Sequence, residues 1–335
     1  MINSHATLFD RVFSRKRPAW VVVLVSLLLL LLPFVIAYLD GELVYILRQG
    51  FWRVLVLPPA IIIYIWLVSP LISRAGLDVI RVLQPYTSLD AESFASVVNS
   101  ASYIRPLYEV LILCVGIILG ILSAQASGFT QQAPLVKGYW LVFASLMTAI
   151  LLWTIFISIA STRVNAALHR HLTRIDLFDQ TPFEVVGRQS LLLALVFVGG
   201  MTISMLLSFR VENIASPSAW LGSLIMILVT GLIFFMSMYP THHTLAQVKK
   251  KELASVRKRI QDVCRELVRR IDENQLAGEL PTQVNTLAFY EQRLLAVRTW
   301  PYNTSMLRTL FLSVSVPLFT MLGRRLAETV LANLP

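Results

Sequence analysis

The twenty residues from 20 to 39 read WVVVLVSLLLLLLPFVIAYL and contain no charged side chain. An apolar helix of about 20 residues is long enough to cross the roughly 30 Å hydrocarbon core of a bilayer. Five further stretches have this length and character, and they cover residues 53–72, 107–124, 138–160, 189–208 and 220–239. The sequence therefore predicts an all-α fold, a polytopic transmembrane bundle of six spans.

The composition of the whole chain agrees with a membrane protein. Of its 335 residues, 56% are hydrophobic and 14% are charged, and the mean hydropathy is +0.69. Soluble domains average about 45–50% apolar and about 25% charged residues. The composition therefore excludes a disordered chain, a disulfide-stapled scaffold and an ordinary cytosolic enzyme. One cysteine, Cys114, lies in a predicted span and the other, Cys264, lies outside the spans, so we expect no disulfide.

The basic residues predict how the chain is oriented. Lys and Arg number 29, and 25 of them fall in the two tails and in the even-numbered connections between the predicted spans. Cytoplasmic segments carry such an excess of Lys and Arg. We therefore expect a membrane protein with a cytoplasmic N-terminus. Its predicted parts are a cytoplasmic tail at 1–19, a six-helix membrane domain at 20–239, a basic cytoplasmic hairpin at 240–303 and a membrane-associated helix at 304–335.

The last apolar segment, 309–323, is short for a membrane span. It has fifteen residues, contains Pro317 and is followed at once by Arg324 and Arg325. Segments of this length are typical of interfacial, re-entrant or buried helices. We therefore expect a C-terminal helix that is re-entrant or lies at the interface.

Glu109 is the one carboxylate inside the predicted spans. It lies near the inner end of the third span, and Arg105 precedes it by one helical turn. Ionisable side chains at membrane depth are costly and usually functional, which favours a cation or proton site. The alternative is a structural pair of Glu109 with Arg105 on one helix face. No Lys or His interrupts the interior of a predicted span, which disfavours a proton-coupled carrier.

Two pairs of histidines lie close to predicted span ends. His169 and His171 are followed by three carboxylates in the 161–188 connection, and His242 and His243 follow the sixth span. Both pairs are weak candidates for a metal site, because neighbouring His residues diverge on a helix and no cysteine accompanies them. We therefore interpret 161–188 as a solvated loop and expect no cofactor.

Uncharged polar residues and glycines punctuate the predicted spans. Gly116 and Gly120 form a GxxxG pattern, which allows two helix backbones to approach closely. The polar residues could line a pathway or join helices by hydrogen bonds. They are Ser123, Thr148, Thr154, Ser158, Thr202, Ser204 and Thr230.

The hydrophilic block after the sixth span predicts an antiparallel helical hairpin. From His242 to about residue 274, apolar side chains recur at spacings of three and four, which is typical of an amphipathic or coiled-coil helix. Gly278 and Pro281 then predict a turn, and 283–300 predicts a second helix. The cluster Lys249, Lys250 and Lys251 is a candidate contact for anionic lipid headgroups. We expect no nucleic acid as a partner, because the block lacks interleaved aromatics.

This block also resembles a group of multi-spanning inner-membrane proteins of Gram-negative bacteria. The resemblance rests on the stretch KKELASV at 250–256, on Tyr290-Glu291, on Trp300-Pro301-Tyr302 and on the closing segment with Pro317 and Gly323. The stretch IDLF at 175–178 with Pro182-Phe183 is similar to that group as well. The resemblance implies a membrane protein and no particular reaction, cofactor or catalytic residue.

Three functions remain open from the sequence. The first is a homo-oligomeric channel or passive pore with a regulatory cytoplasmic hairpin. The second is a membrane scaffold or signalling protein that docks a soluble cytoplasmic partner through residues 241–300. The third is a membrane-embedded enzyme acting on lipid, for which His169 and His171 with Asp176 and Asp179 are the candidate cluster. The sequence contains none of the common nucleotide, zinc-protease or hydrolase motifs, which disfavours the enzyme without excluding it.

Overall fold

The computed structural model describes residues 8–9, 12–13, 18–126, 133–172, 176–179, 181–208, 217–273, 275–276 and 278–332. This part of the chain is 88% helix and has no strand, so the all-α prediction is confirmed. Five helical segments within it are long and apolar enough to cross a membrane. The basic residues of the predicted tail, Arg11, Arg15, Lys16 and Arg17, lie outside the described residues, as does Ile175.

Ten α-helices are defined in the described chain, with one short 3-10 helix, Gln84–Tyr86, after the third. They are α1 (Ala19–Leu39), α2 (Leu43–Arg48), α3 (Trp52–Leu83), α4 (Ala91–Ser102), α5 (Pro106–Ala126), α6 (Pro134–Arg170), α7 (Thr181–Ser208), α8 (Pro217–Asp272), α9 (Leu280–Ala296) and α10 (Thr304–Ala332). Helices α4 and α5 together form one membrane-length segment. The other four segments are α1, α3, α6 and α7. The sixth predicted span, 220–239, lies within α8.

Several helices continue well beyond their apolar spans. Helix α6 runs to Arg170 and α7 begins at Thr181, so the prediction of a solvated loop over 161–188 is wrong for most of that range. Helix α8 has 56 residues and continues from its apolar part through Pro240 to Asp272. At a rise of about 1.5 Å per residue it is roughly 84 Å long. The hairpin is therefore a direct continuation of the helix that contains the apolar segment 220–239.

The helix extensions end in a shared hydrophobic core, which we call the end cluster. Its residues come from α3, α4, α6, α7, α8, α9 and the connection before α7. They are Val79, Leu83, Phe94, Val98, Val164, Leu168, Leu177, Phe183, Val186, Leu245, Val256 and Leu294. The extensions are helical because their apolar faces are buried here. The base of the hairpin is consequently part of the same packed body as the ends of the membrane helices.

The GxxxG pattern packs two helices of one chain. A Cβ atom added at Gly116 would collide with the Cα of Ala149, and one added at Gly120 would collide with the Cα of Ser145. Helices α5 and α6 therefore approach at backbone contact along this face.

Helix α10 is longer than the predicted segment at 309–323. It runs for 29 residues and continues past Pro317. It packs against α7, and the chain just before it crosses α7 at Gly187, where an added Cβ would collide with the carbonyl oxygen of Pro301.

Candidate functional site

Glu109 lies near the start of α5 with its side chain in the interior of the bundle. The residue is only 1% exposed. Its Oε1 accepts a hydrogen bond from the backbone N–H of Leu8 at 3.2 Å. Its Oε2 accepts one from the backbone N–H of Phe9 at 3.2 Å and one from the indole N–H of Trp153 at 3.0 Å. Three donors from two distant parts of the chain offset the cost of burying this carboxylate.

The segment that supplies the two backbone donors is anchored by aromatic rings. Phe9 and Phe13 are buried against α3 and α6, in one cluster with Ile61 and Trp153. The ring centroids of Phe9 and Trp153 are 5.1 Å apart and the rings are nearly perpendicular. Edge-to-face contacts of this kind add to the energy of apolar burial. Phe9 and Phe13 belong to the predicted tail at 1–19, and they therefore pack against α3 and α6.

The structure does not bring Arg105 to Glu109. Arg105 precedes the first residue of α5 and is exposed, and the two side chains form no ion pair in the described chain. The carboxylate is held by uncharged N–H donors instead. The carboxyl oxygens thus accept hydrogen bonds but have no cationic side chain against them among the described residues.

A second polar feature, which we call the polar seam, runs where α3, α6, α7 and α8 pack together. All of its side chains are buried. They are Ser69 on α3, Thr154, Ser158 and Asn165 on α6, Gln189 and Ser190 on α7, and Thr230, Ser237 and Thr241 on α8. The spacings of four and seven residues on α6 and on α8 place each group on one helix face. A hydrogen bond of 3.3 Å from Asn165 Nδ2 to Gln189 Oε1 joins α6 to α7.

The hydroxyl groups of the polar seam differ in how they are satisfied. Thr154 and Ser158 donate to backbone carbonyls one turn earlier, both at 2.8 Å. The hydroxyls of Ser237 and Thr241 are also buried, but they have no hydrogen-bond partner in the described chain. An unpaired hydroxyl in an apolar interior costs free energy, so such a group calls for a polar occupant beside it. The α8 side of the polar seam is therefore suited to water or another hydrogen-bonding molecule.

A small cavity of about 60 Å³ lies beside the polar seam, between α3, α6 and α7. Thr154, Ser204 and Tyr64 are among the residues that line it. The Tyr64 hydroxyl donates to the Val196 carbonyl at 2.9 Å. Ile61, which contacts the N-terminal segment, lines the same cavity. The Glu109 site and the polar seam are therefore neighbours across α3 and α6.

The histidines of the 161–188 connection lie in different environments. His169 belongs to the last turn of α6 and is 4% exposed, with its Nδ1 2.7 Å from the carbonyl oxygen of Asn165. His171 follows the helix end. The carboxylates of Asp176 and Asp179 accept hydrogen bonds from backbone N–H groups two residues later. Within the described residues no three His, Cys, Asp or Glu side chains form a metal-ligand set.

His242 and His243 contact different neighbours from adjacent faces of α8. The ring of His242 stacks on Trp300 with centroids 4.0 Å apart and an angle of 8° between the planes. The ring of His243 stacks near Tyr239, 6.1 Å away, and its Nε2 lies 3.4 Å from the Gln247 amide nitrogen. His242 thus joins α8 to the chain before α10, while His243 lines an open groove.

That groove is a cavity of about 530 Å³ between the end of α6 and the part of α8 that follows Pro240. We call it the α6–α8 cavity. Its polar lining consists of His169, Arg170, Tyr239, His243, Thr244 and Gln247. The volume lies in the range that is usual for small-molecule pockets.

The three lysines of the predicted lipid contact have different roles. Lys249 Nζ donates to the carbonyl oxygens of Leu295 and Val297, both at 2.8 Å. It therefore caps the end of α9, where helix carbonyls lack partners. Lys250 and Lys251 are exposed.

Sequence reasoning identified some of these residues and missed others. Glu109 was detectable as a lone carboxylate in an apolar span, and Thr154, Ser158 and Thr230 as polar residues in spans. The sequence could not predict the partners of Glu109, because two of them are backbone N–H groups, which have no sequence signature. Ser237 and Thr241 were also missed, although their spacing of four residues on α8 is a signal that they share a face.

The described chain is all-helical, contains five segments long and apolar enough to cross a membrane, and buries polar side chains between its helices. Comparisons with protein-family models, with curated proteins and with solved structures found no match to this chain. The functional argument therefore rests on the geometry of the chain itself.

Proposed function

We propose that the protein is a channel of the bacterial inner membrane that conducts small uncharged polar solutes passively. In this proposal α8 supplies a sixth span, the N-terminus and the hairpin are cytoplasmic, and the protein assembles as a homo-oligomer. The polar seam is the part of each protomer that solutes follow. The hairpin, which continues α8, transmits regulation.

The observation that carries this proposal is the pair of unsatisfied hydroxyls in the polar seam. Ser237 and Thr241 are buried on one face of α8 and lack partners in the described chain, in a bundle where other Ser and Thr hydroxyls are paired within their own helix. These two hydroxyls lie at the end of the apolar run of α8, where the proposed path opens toward the hairpin side. Unpaired hydroxyls in that position favour a hydrated path over a purely structural contact.

The uncharged character of the polar seam favours uncharged solutes. Its members are hydroxyls and amides, which replace the hydrogen bonds of a neutral solute but not the hydration shell of an ion. The described part of the seam contains no carboxylate, lysine or arginine.

The test is solute flux in liposomes that contain the purified full-length protein. Stopped-flow swelling in glycerol and release of K⁺ are measured side by side, with protein-free liposomes as the baseline. We expect glycerol to enter faster than the baseline and Thr241→Val to lower that rate by about five-fold, the effect of removing one hydrogen-bonding site of about 1 kcal/mol.

The matched control is Thr148→Val on α6. The Thr148 hydroxyl donates to the Ala144 carbonyl at 2.9 Å, and its position places it off the face of α6 that carries the polar seam. This variant should keep the flux of the natural protein. Swelling and K⁺ release that both stay at the level of protein-free liposomes would refute the channel.

A second candidate function, docking of a soluble partner, is favoured by the distal end of the hairpin. Val268, Ile271 and Leu276 are 56%, 58% and 92% exposed there. Apolar side chains grouped on an exposed tip are typical of an interaction site. Deleting 241–300 is unsuitable as a test, because Leu245 and Leu294 belong to the end cluster.

The test of docking is to replace the three tip residues with serine and keep the rest of the chain. A scaffold with an intact fold loses a protein that cross-links to the tip in native membranes. A channel without a docked partner keeps its glycerol flux in liposomes and shows no change in cross-linked species.

A further inference from the structure

Aromatic side chains indicate where the α6–α8 cavity lies relative to a membrane surface. Tyr239 is at the point on α8 where the apolar run ends, and Trp300 and Tyr302 lie close together beside α8 and α10. Trp300 also contacts Phe235 of α8, with ring centroids 6.1 Å apart. Tyr and Trp are enriched at the level of lipid headgroups. Because Tyr239 lines the α6–α8 cavity, this cavity lies at headgroup level on the side of the hairpin.

The charge of the α6–α8 cavity is positive. Arg170 lines it, and this guanidinium is exposed and forms no ion pair with a described residue. The residues described around the cavity include no Asp or Glu. Arginine offers a planar fork of N–H donors that matches the oxygens of a phosphate. The lining therefore favours an anion, and a phosphate in particular.

The other polar groups around the α6–α8 cavity suit the same ligand. The His243 ring is exposed on the cavity side of α8, and Gln247 follows one turn later on the same face. The Tyr239 side chain is 58% exposed beside them. Imidazole, amide and phenol groups all donate hydrogen bonds to phosphate oxygens. These donors converge from one face of α8 opposite the guanidinium of α6.

The triple-lysine cluster is a weaker candidate for the same role. Lys249 is occupied by the carbonyl groups at the end of α9. Lys250 and Lys251 are exposed point charges on a helix, with no described cavity around them. Such charges attract an anionic surface in general but do not select one headgroup.

We infer that the α6–α8 cavity is a binding site for a phosphodiester, the headgroup of an anionic phospholipid in the leaflet on the hairpin side. Arg170 pairs with the phosphate oxygens, and His243 and Gln247 donate to the same headgroup. The open side of the cavity leaves the acyl chains in the bilayer. The site does not depend on the proposed conduction, because it lies outside the polar seam.

The experiment measures lipid selectivity of the full-length protein in vesicles of phosphatidylcholine. Electron paramagnetic resonance of spin-labelled phosphatidylglycerol and spin-labelled phosphatidylcholine gives the fraction of each lipid that the protein immobilises. We expect phosphatidylglycerol to be preferred and Arg170→Gln to lower its relative association constant by about ten-fold, as one charge-assisted contact predicts. His243→Ala should lower it by a smaller factor, which provides a second variant at the site.

The matched control is Arg163→Gln. Arg163 is also an exposed arginine of α6, but it does not line the α6–α8 cavity. The Arg163→Gln variant should therefore keep the preference for phosphatidylglycerol over phosphatidylcholine unchanged. Equal losses in the two arginine variants, or equal immobilisation of the two lipids by the natural protein, would overturn the proposal.

A further arm distinguishes a lipid from a soluble phosphate. Inorganic phosphate and glycerol 3-phosphate are added to the vesicles in excess. Release of immobilised phosphatidylglycerol by either compound shows that the phosphate site is real but also accepts a soluble ligand. Retention of the lipid supports the headgroup as the natural occupant.

Discussion

At the scale of single residues, Glu109 links the chain's N-terminal segment to two membrane helices. Replacing it with Gln keeps the size but turns one acceptor into a donor, which then faces either the N–H of Leu8 or those of Phe9 and Trp153. Hydrogen bonds to a charged group contribute about 1.5–3 kcal/mol each. We expect Glu109→Gln to lower the free energy of unfolding by about 2 kcal/mol, measured by thermal denaturation of the purified protein.

The same variant should release the N-terminal segment, which can be measured separately. Leu8→Cys, in a chain whose two native cysteines are changed to Ser, reports the exposure of this segment by its rate of maleimide labelling. We expect slow labelling with Glu109 present and faster labelling with Gln. Glu92→Gln on the exposed start of α4 is the control, and equal labelling in all three proteins would contradict the anchoring role.

Gly116 shows how one missing side chain sets the distance between two helices. An added Cβ there meets the backbone of Ala149, which cannot move without shifting α6. We expect Gly116→Ala to destabilise the protein by about 1–3 kcal/mol, the usual cost of overpacking. Gly138→Ala is the matched control, because a Cβ at Gly138 meets nothing within 4 Å. Thermal denaturation should show this control unchanged or more stable, since Ala favours a helix.

At the scale of helices, Lys249 ties α8 to the end of α9. Its ammonium group occupies two carbonyl oxygens that would otherwise lack partners. We expect Lys249→Met to weaken this contact by about 1 kcal/mol and to speed hydrogen exchange in the last turn of α9. Lys250→Met should leave that exchange unchanged, because Lys250 is exposed one residue further along α8. Similar exchange in both variants would show that the lysines act only through their charge.

The helices also show what a sequence can predict about this fold. Hydropathy located the apolar part of α1, α3, α5, α6 and α7 because about twenty apolar residues in a row have few other uses. It missed the extensions of α6 and α7, because polar residues such as His169 and Glu184 alternate with the apolar ones that enter the end cluster. A mixed pattern of this kind is also typical of loops. It cannot be assigned to a helix until the residues that pack against it are known.

The candidate sites were harder to predict for a related reason. His169 and His243 approach the same cavity although they are far apart in the chain, and Leu8 meets Glu109 across about a hundred residues. Each site is created by helix packing, and no single stretch contains it. The sequence therefore indicated Glu109 as unusual but could not identify what binds it.

At the scale of the whole molecule, the end cluster joins the hairpin to the membrane helices. Helix α8 passes through both parts without a break, and α9 returns to place Leu294 in a core with residues of α3, α4, α6 and α7. Because close-packed cores transmit displacement, a force on the hairpin reaches the ends of those helices. If the hairpin regulates the channel proposed above, this connection is the physical route from the hairpin to the polar seam.

Leu294→Ala tests whether the two parts behave as one body. Leu294 is fully buried, so the substitution should destabilise the protein by about 2–5 kcal/mol. Hydrogen exchange should then increase in α4 and at the end of α6 as well as in α9, because all three contribute to the end cluster. Leu276→Ala is the matched control, since Leu276 is 92% exposed in the turn between α8 and α9. An increase confined to α8 and α9 would instead mean that the hairpin unfolds independently, which would remove the mechanical route from hairpin to membrane.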